Sequence, residues 1–243
     1  MIARFFFPSA LPAGGCVDLP EPLAHHAVRV LRLRDGDAVV LFDGSGAEWP
    51  ARLAVRGRAC TAELEDCRFV ERESPLQVVL VQALAAGDKM DWVVQKAVEL
   101  GVHAVQPLSA ARSVLRLAGE RAERRVAHWQ QVAVAACEQC GRNRVPTVHG
   151  LSSLADYLAA SATDRRVVLA PGGAVGLAAL AAPRSGEVLH LLVGPEGGWS
   201  EDELALCARA GVTALALGPR VLRTETAGLA ALAALQARWG DFG

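Results

Sequence analysis

Three short stretches hold the residues best suited to chemistry. "LAPGG" (169–173), "LLVGPEGGWS" (191–200) and "LALGPRVLRTETAG" (215–228) each place glycine at or just past the end of an apolar run. Glycine lets backbone N–H and C=O groups come close to a bound molecule. In the last stretch Arg223 and Glu225 are separated by one threonine. A guanidinium can stabilise negative charge that develops on an oxygen, and a carboxylate can take a proton. Glu196, in the P-E-G-G turn, is a second carboxylate, and Gln139 with Arg142 form a polar pair in "CEQCGRNRVP". Each has a plainer reading. Glu225 can answer the dipole of a helix that follows it, Glu196 can brace its glycine loop, and Arg142 can be a cation near a helix C-terminus.

The elements around these stretches must position them. From "LQVVLVQAL" onward the pattern alternates. Apolar runs of the buried parallel type are followed by helical stretches such as "DKMDWVVQKAVELG", "ERAERRVAHWQQVAVAACEQC" and "SEDELALCARAG". Ser200 and Glu203 have the spacing of a capping box, and Gly211 closes that helix. This alternation predicts an α/β domain with a parallel sheet and helices on both faces. In such sheets ligands sit beyond the carboxyl ends of the strands, so three glycine loops there could line one pocket. The first 70 or so residues read instead as short strands, with a hairpin in "DAVVLFDGSGAEWPARLAVR". One helix is expected between Pro22 and Asp35, with His25, Arg29 and Arg32 at i, i+4 and i+7 on a single polar face. Pro75 lies at the change of pattern. The expected domains are therefore 1–72, a small β-barrel, and 73–243, the α/β domain.

Composition narrows the function. The chain has 243 residues, 52% hydrophobic and 21% charged, with a formal net charge of -1. It reads as a folded, soluble protein without a general attraction for nucleic acid, so any such binding must use a local patch. Its N-terminal apolar run is short and split by Arg4, and no long uncharged apolar stretch occurs, so no membrane span and a cytoplasmic location are expected. Cys137 and Cys140 make one C-x-x-C without a second pair, so no metal is expected. Neither a P-loop nor a G-x-G-x-x-G fingerprint is present, which leaves ATP and dinucleotides unsupported.

"VGPEGGWSEDE" followed by "LALGPRVLRTETAGLAALAALQ" resembles the C-terminal signature of the SPOUT methyltransferases. More narrowly it is similar to the RsmE family, the 16S ribosomal RNA uridine-N3 methyltransferases. "ARFFF", "HHAVRVLRLRDGD", "GDKMDWVVQKAVELGV", "PLSAARSV" and "ACEQCGRNRVP" resemble that family's blocks in the same order. Two departures are the cysteines at 137 and 140 and Trp199 where Phe is usual.

The resemblance implies a trefoil-knotted α/β domain, a PUA-like RNA-binding barrel before it, a homodimer, and a small-subunit 16S rRNA substrate. It implies S-adenosylmethionine as methyl donor, held by Leu169, by Gly194, Pro195, Glu196, Gly197 and Gly198, and by Leu217, Gly218, Pro219, Arg220, Val221, Leu222 and Thr226. The last apolar helix, from Ala227 to Trp239, would be buried between the knot and the partner subunit. Arg223, Glu225 and Arg142 become the candidates for catalysis. Arg4, His25, Arg29, Arg32, Arg112 and Gln139 become candidates for holding RNA. Rival readings are another SPOUT RNA methylation and a catalytically silent RNA-binding or ribosome-assembly protein.

Overall fold

The computed structural model describes residues 2–57, 59–160 and 165–243, and its chain divides into two units. The first unit comprises residues up to Glu73 together with Cys137–Val145; the second comprises Ser74–Ala136 and Pro146–Gly243.

The first unit is built on short strands: β1 (Ala3–Phe6), β2 (Gly15–Asp18), β3 (Ala38–Phe42), β4 (Ala47–Arg56), β5 (Ala59–Leu64) and β6 (Arg68–Phe69). The order is β1-β3-β4-β5-β2, with β6 on β4. All pairs are antiparallel except β1 with β3. Alternate residues of the strands point inward, so Phe5, Val39, Leu41, Trp49, Leu53 and Ala62 share one core. The expected helix is shorter than its pattern suggested. α1 (Glu21–His25) runs into a wider π-type turn at His26–Val30 and stops. Arg32 then adopts a left-handed backbone, φ 60°. Arg29 and Arg32 are both exposed, but they do not share a helix face.

A polar network ties the 137–145 segment to this sheet. The Glu48 carboxylate accepts from Arg4 (2.8 Å), Arg72 (2.9 Å) and Asn143 (3.3 Å). Burial pushes Glu48 up, yet these three donors outweigh it and hold its carboxyl below the usual value. Arg4 also donates to Asn143 and lies over the Phe42 ring, so it is largely enclosed. Arg142 is buried and grips Glu73 with two nitrogens.

The second unit runs β7 (Val78–Ala83), α2 (Lys89–Glu99), β8 (Ala104–Ser109), α3 (Gly119–Cys140, whose last turn belongs with the first unit), β9 (Thr147–Val148), β10 (Ser152–Ser153), α4 (Leu154–Ala160), β11 (Arg165–Leu169), β12 (Val175–Gly176), β13 (Leu189–Val193), α5 (Glu201–Arg209), β14 (Thr213–Ala216) and α6 (Thr224–Trp239). Its sheet has the order β10-β8-β7-β13-β11-β14-β12, with β9 on β8, and every pair is parallel. Side chains alternate between the two faces. Val79, Val81 and Leu192 pack with Leu154, Leu158 and Cys207 of α4 and α5. On the opposite face Leu80 and Val193 meet Gly228 of α6. Helices therefore cover both faces, as the alternating pattern predicted.

The chain leaves β14 beside β11 and returns across the sheet to lay α6 against β13, β7 and α2. This is the kind of return a knotted fold calls for. α6 begins at Thr224, three residues before the expected start. Its buried stripe is Thr224, Gly228, Ala231, Leu232 and Leu235, while Thr226 and Ala230 face outward. The helix is alanine-rich, which hides a one-sided burial behind an evenly apolar sequence. Among the described residues no helix is long and apolar enough to cross a membrane. Among them no cluster of three or more His, Cys, Asp or Glu could hold a metal.

Candidate active site

β11, β13 and β14 lie side by side and end together, so the three glycine loops that follow them are neighbours. They enclose a cavity of about 820 Å³. That size suits a nucleoside-like molecule. The wall from the first loop is Leu169 to Gly172, that from the second is Val193 to Trp199, and that from the third is Leu215 to Thr224, with Ala227 behind it. Leu169, Val193, Leu215 and Leu217 make part of this lining apolar, and the loop backbones can supply donors and acceptors.

Two contacts explain why the second loop holds its shape. A β-carbon on Gly194 would meet the Trp199 ring at 3.1 Å, so glycine there makes room for the indole. The Trp199 Nε1–H in turn donates to the Leu169 carbonyl at 3.2 Å, joining the second loop to the first. A phenylalanine could not make that bond. Arg112, exposed on the loop after β8, donates to the carbonyls of Gly197 and Trp199, both at 3.3 Å. Ser200 and Glu203 form the capping box at the start of α5, and the Glu203 carboxylate also accepts from Ala111 N–H at 2.7 Å.

The cavity gathers Leu169, Gly194 to Gly198 and Leu217 to Leu222, all singled out in the sequence, together with Arg223 at its edge. Thr226 is exposed on α6 and is not part of the wall; Thr224 is. Arg220, Val221 and Arg223 are exposed around the opening. Glu225 lies in the first turn of α6, 3.4 Å from the Lys89 ammonium, and does not line the cavity. Glu196 braces its loop: one oxygen accepts from Ala86 N–H at 2.8 Å and from Lys89 at 3.3 Å. Burial raises its pKa, but these donors outweigh burial and leave the carboxyl below its usual value.

Arg4, His25, Arg29, Arg32, Gln139 and Arg142 belong to the first unit and are not in this wall. Of these, His25, Arg29, Arg32 and Gln139 are exposed, while Arg4 and Arg142 are engaged in the network around Glu48 and Glu73. Cys137 is buried, its thiol pushed up to about 12 by that burial.

One residue beneath the wall, Gln82, was not singled out in the sequence, and it reaches Thr224 in the wall. Gln82 sits inside an apolar strand and is fully buried; its Nε2 donates to Thr224 Oγ1 at 2.9 Å. Thr224 passes the contact on, donating to the Gly194 carbonyl at 2.5 Å. A lone glutamine in a run of valines was the only available signal.

A family model described as an RNA methyltransferase domain matches residues 72–236, and one described as an RNA methyltransferase PUA domain matches residues 19–65. The chain is 35% identical over 224 residues to the ribosomal RNA small subunit methyltransferase E of Bacillus subtilis, covering 87% of this chain and 86% of that one. Its fold matches the crystal structure of a ribosomal RNA small subunit methyltransferase E from Neisseria gonorrhoeae bound to S-adenosyl methionine, with TM-score 0.92, 40% identity and full coverage of both chains. A protein of Legionella pneumophila, described as a methyltransferase and solved with the cofactor bound, superposes with TM-score 0.94 at 33% identity over 99% of each chain.

Proposed function

The chain belongs to the ribosomal RNA small subunit methyltransferase E family, so it is an RNA methyltransferase, and from that premise we propose that it methylates N3 of one uridine in 16S RNA of the small ribosomal subunit. S-adenosylmethionine is the donor. The observation that carries this reading is the single cavity built by three loops at neighbouring strand ends, with apolar walls and backbone polar groups. A nucleoside carrying an amino-acid tail fits that mixture: the walls take the base and ribose, and the loop amides and carbonyls take the polar edges.

The bound sulfonium supplies an electrophilic methyl group. What remains for the protein is alignment and a deprotonated acceptor. Uridine N3–H is a weak imide acid whose anion spreads onto its two carbonyl oxygens. Arg223, exposed at the cavity edge, is our candidate to stabilise that anion. Arg220 and Arg223, exposed in that lining, give the opening a local positive rim on a chain of net charge -1. N3 is hidden in a paired base, so the target must be unpaired or splayed out. The first unit, with Arg29 and Arg32 exposed, then holds the surrounding RNA, and Gln139 adds a neutral contact.

The exposed apolar Val221, 81% accessible at the cavity mouth, and the outward alanine face of α6 are suited to a second copy of the chain. The working form in this reading is a homodimer acting in the cytoplasm, where its ribosomal substrate is made. Rivals within the superfamily methylate the ribose 2′-oxygen or guanine N1. Nucleoside mapping of 16S rRNA from a deletion strain tests the reading: one 3-methyluridine should vanish and return when the gene is restored. An unchanged modification map would refute it.

A further inference from the structure

We infer that Lys89 is a positioning residue for the cofactor cavity: by sitting between Glu196 and Glu225 it latches the second glycine loop to the first turn of α6. This rests on the cofactor reading above and adds to it a part of the chain outside the cavity.

The geometry is a three-way junction. Lys89 opens α2, Glu196 lies in the loop after β13, and Glu225 lies in the first turn of α6. The ammonium stands 3.3 Å from Glu196 Oε1 and 3.4 Å from Glu225 Oε2. One cation therefore serves two carboxylates, and beside it the Ala86 N–H donates to the same Glu196 oxygen at 2.8 Å. Glu196 Oε2 and Glu225 Oε2 are both buried without a hydrogen-bond partner. Without the lysine, two carboxylates would face each other in a partly desolvated gap.

Both ends of this latch carry cavity wall. Gly194 to Gly198 are on one side, and Arg223, Thr224 and Ala227 on the other. Lys89 and Glu225 line none of it. Whatever Lys89 does for the cavity, it does by fixing the distance between those walls. A neutral layer beneath repeats the connection. Gln82, on β7, holds Thr224, and Thr224 holds the Gly194 carbonyl. The buried layer fixes the wall at its base, and the charged layer fixes it near the surface. A compact ammonium suits a place between two carboxylates that approach from different elements; a planar guanidinium is shaped to grip one. The chain is rich in arginine, yet it has lysine here, and its only other lysine, Lys96, pairs with Glu99 on its own helix.

An ordinary surface ion pair contributes little and could be removed at little cost. The latch differs because its loss leaves like charges opposed. The test is calorimetric titration of S-adenosylmethionine into wild type, Lys89→Met and the double variant Lys89→Met/Glu225→Gln, with melting curves on each. Lys89→Met should lose about tenfold or more in affinity while melting within a few degrees of wild type. The double variant, which removes one of the opposed charges, should recover most of the loss. Unchanged affinity in Lys89→Met overturns the latch, as does a loss that the double variant fails to recover. Loss of folding in both variants also overturns it, since the junction would then serve the fold and not the cavity. If wild type itself does not bind, the cofactor reading falls first and the latch with it; a binding wild type with an equally tight Lys89→Met removes only the latch.

Discussion

A β-carbon built on Gly197 would stand 2.9 Å from the Arg112 Cβ and 3.1 Å from the Arg112 carbonyl oxygen. In the sequence this glycine looked like a place where a ligand needs room. The structure shows that the protein's own neighbouring loop needs it first. The next glycine, Gly198, has open space but a left-handed backbone, φ 68°. Gly197→Val therefore does more than obstruct a ligand: Arg112 and its loop must move. The expected cost is about 1–3 kcal/mol of stability, as for other overpacked sites. A fall in melting temperature should accompany weaker cofactor binding. Differential scanning calorimetry beside a cofactor titration checks this; a variant that melts as wild type does would show that the loop yields freely.

Arg142 and Glu73 are 69 residues apart in sequence and form a two-pronged pair within the first unit. Breaking a buried pair leaves an uncompensated charge, at a cost of about 3 kcal/mol. Arg142→Ala and Glu73→Ala should each lose about that much in urea unfolding, and any loss of turnover should match between them. A turnover loss confined to Arg142→Ala would instead assign the guanidinium to the substrate.

Much of the second unit was legible because its signals are local. Strand and helix periods alternate, Ser200 and Glu203 cap α5 in the arrangement their spacing suggests, and glycine marks the strand ends. What was hidden depends on distant partners. Gln82 reads as one polar residue in an apolar strand until Thr224, 142 positions later, is brought to it. Glu225 and Glu196 read as separate carboxylates until Lys89 joins them. Arg4 reads as a free surface cation, because nothing near it in sequence announces Glu48 or Asn143. The polar stripe of His25, Arg29 and Arg32 presumed a continuous helix, and the π-type turn and the left-handed Arg32 interrupt it.

Two carboxylates of the first unit titrate in opposite directions. Glu48 lies below its ordinary value of 4.5, so its contribution is present above about that pH and is lost as pH falls through the lower folded value. Glu138 is raised by burial, which outweighs its hydrogen bond from Phe6 N–H. Its penalty is absent at acid pH, grows as pH rises through 4.5 toward the folded value, and persists above it. Glu138→Gln should therefore be more stable than wild type at pH 7, and the difference should shrink toward zero below pH 4.5. Urea unfolding across that range checks it; a gain of equal size at both ends would point to packing and not to charge.

Arg29 and Arg32 offer the first unit's exposed positive charge near the interrupted helix. Changing both to glutamate should weaken binding of a small-subunit RNA fragment and lower the slope of log affinity against log salt by about one to two, as lost phosphate contacts do. Cofactor affinity should stay the same. An unmoved slope would send the search for the RNA footprint to Arg112 and Arg220.

The central claim is that this cavity delivers a methyl group to uridine N3 in 16S rRNA. The direct measurement uses the purified protein, S-adenosylmethionine with an isotopically labelled methyl group, and small ribosomal subunits that lack the modification. The RNA is then digested to nucleosides and resolved by chromatography and mass spectrometry. The account predicts label in 3-methyluridine, approaching one per 16S molecule. Label in a 2′-O-methyl nucleoside or in 1-methylguanosine, or no label with a protein that binds the cofactor, would contradict it.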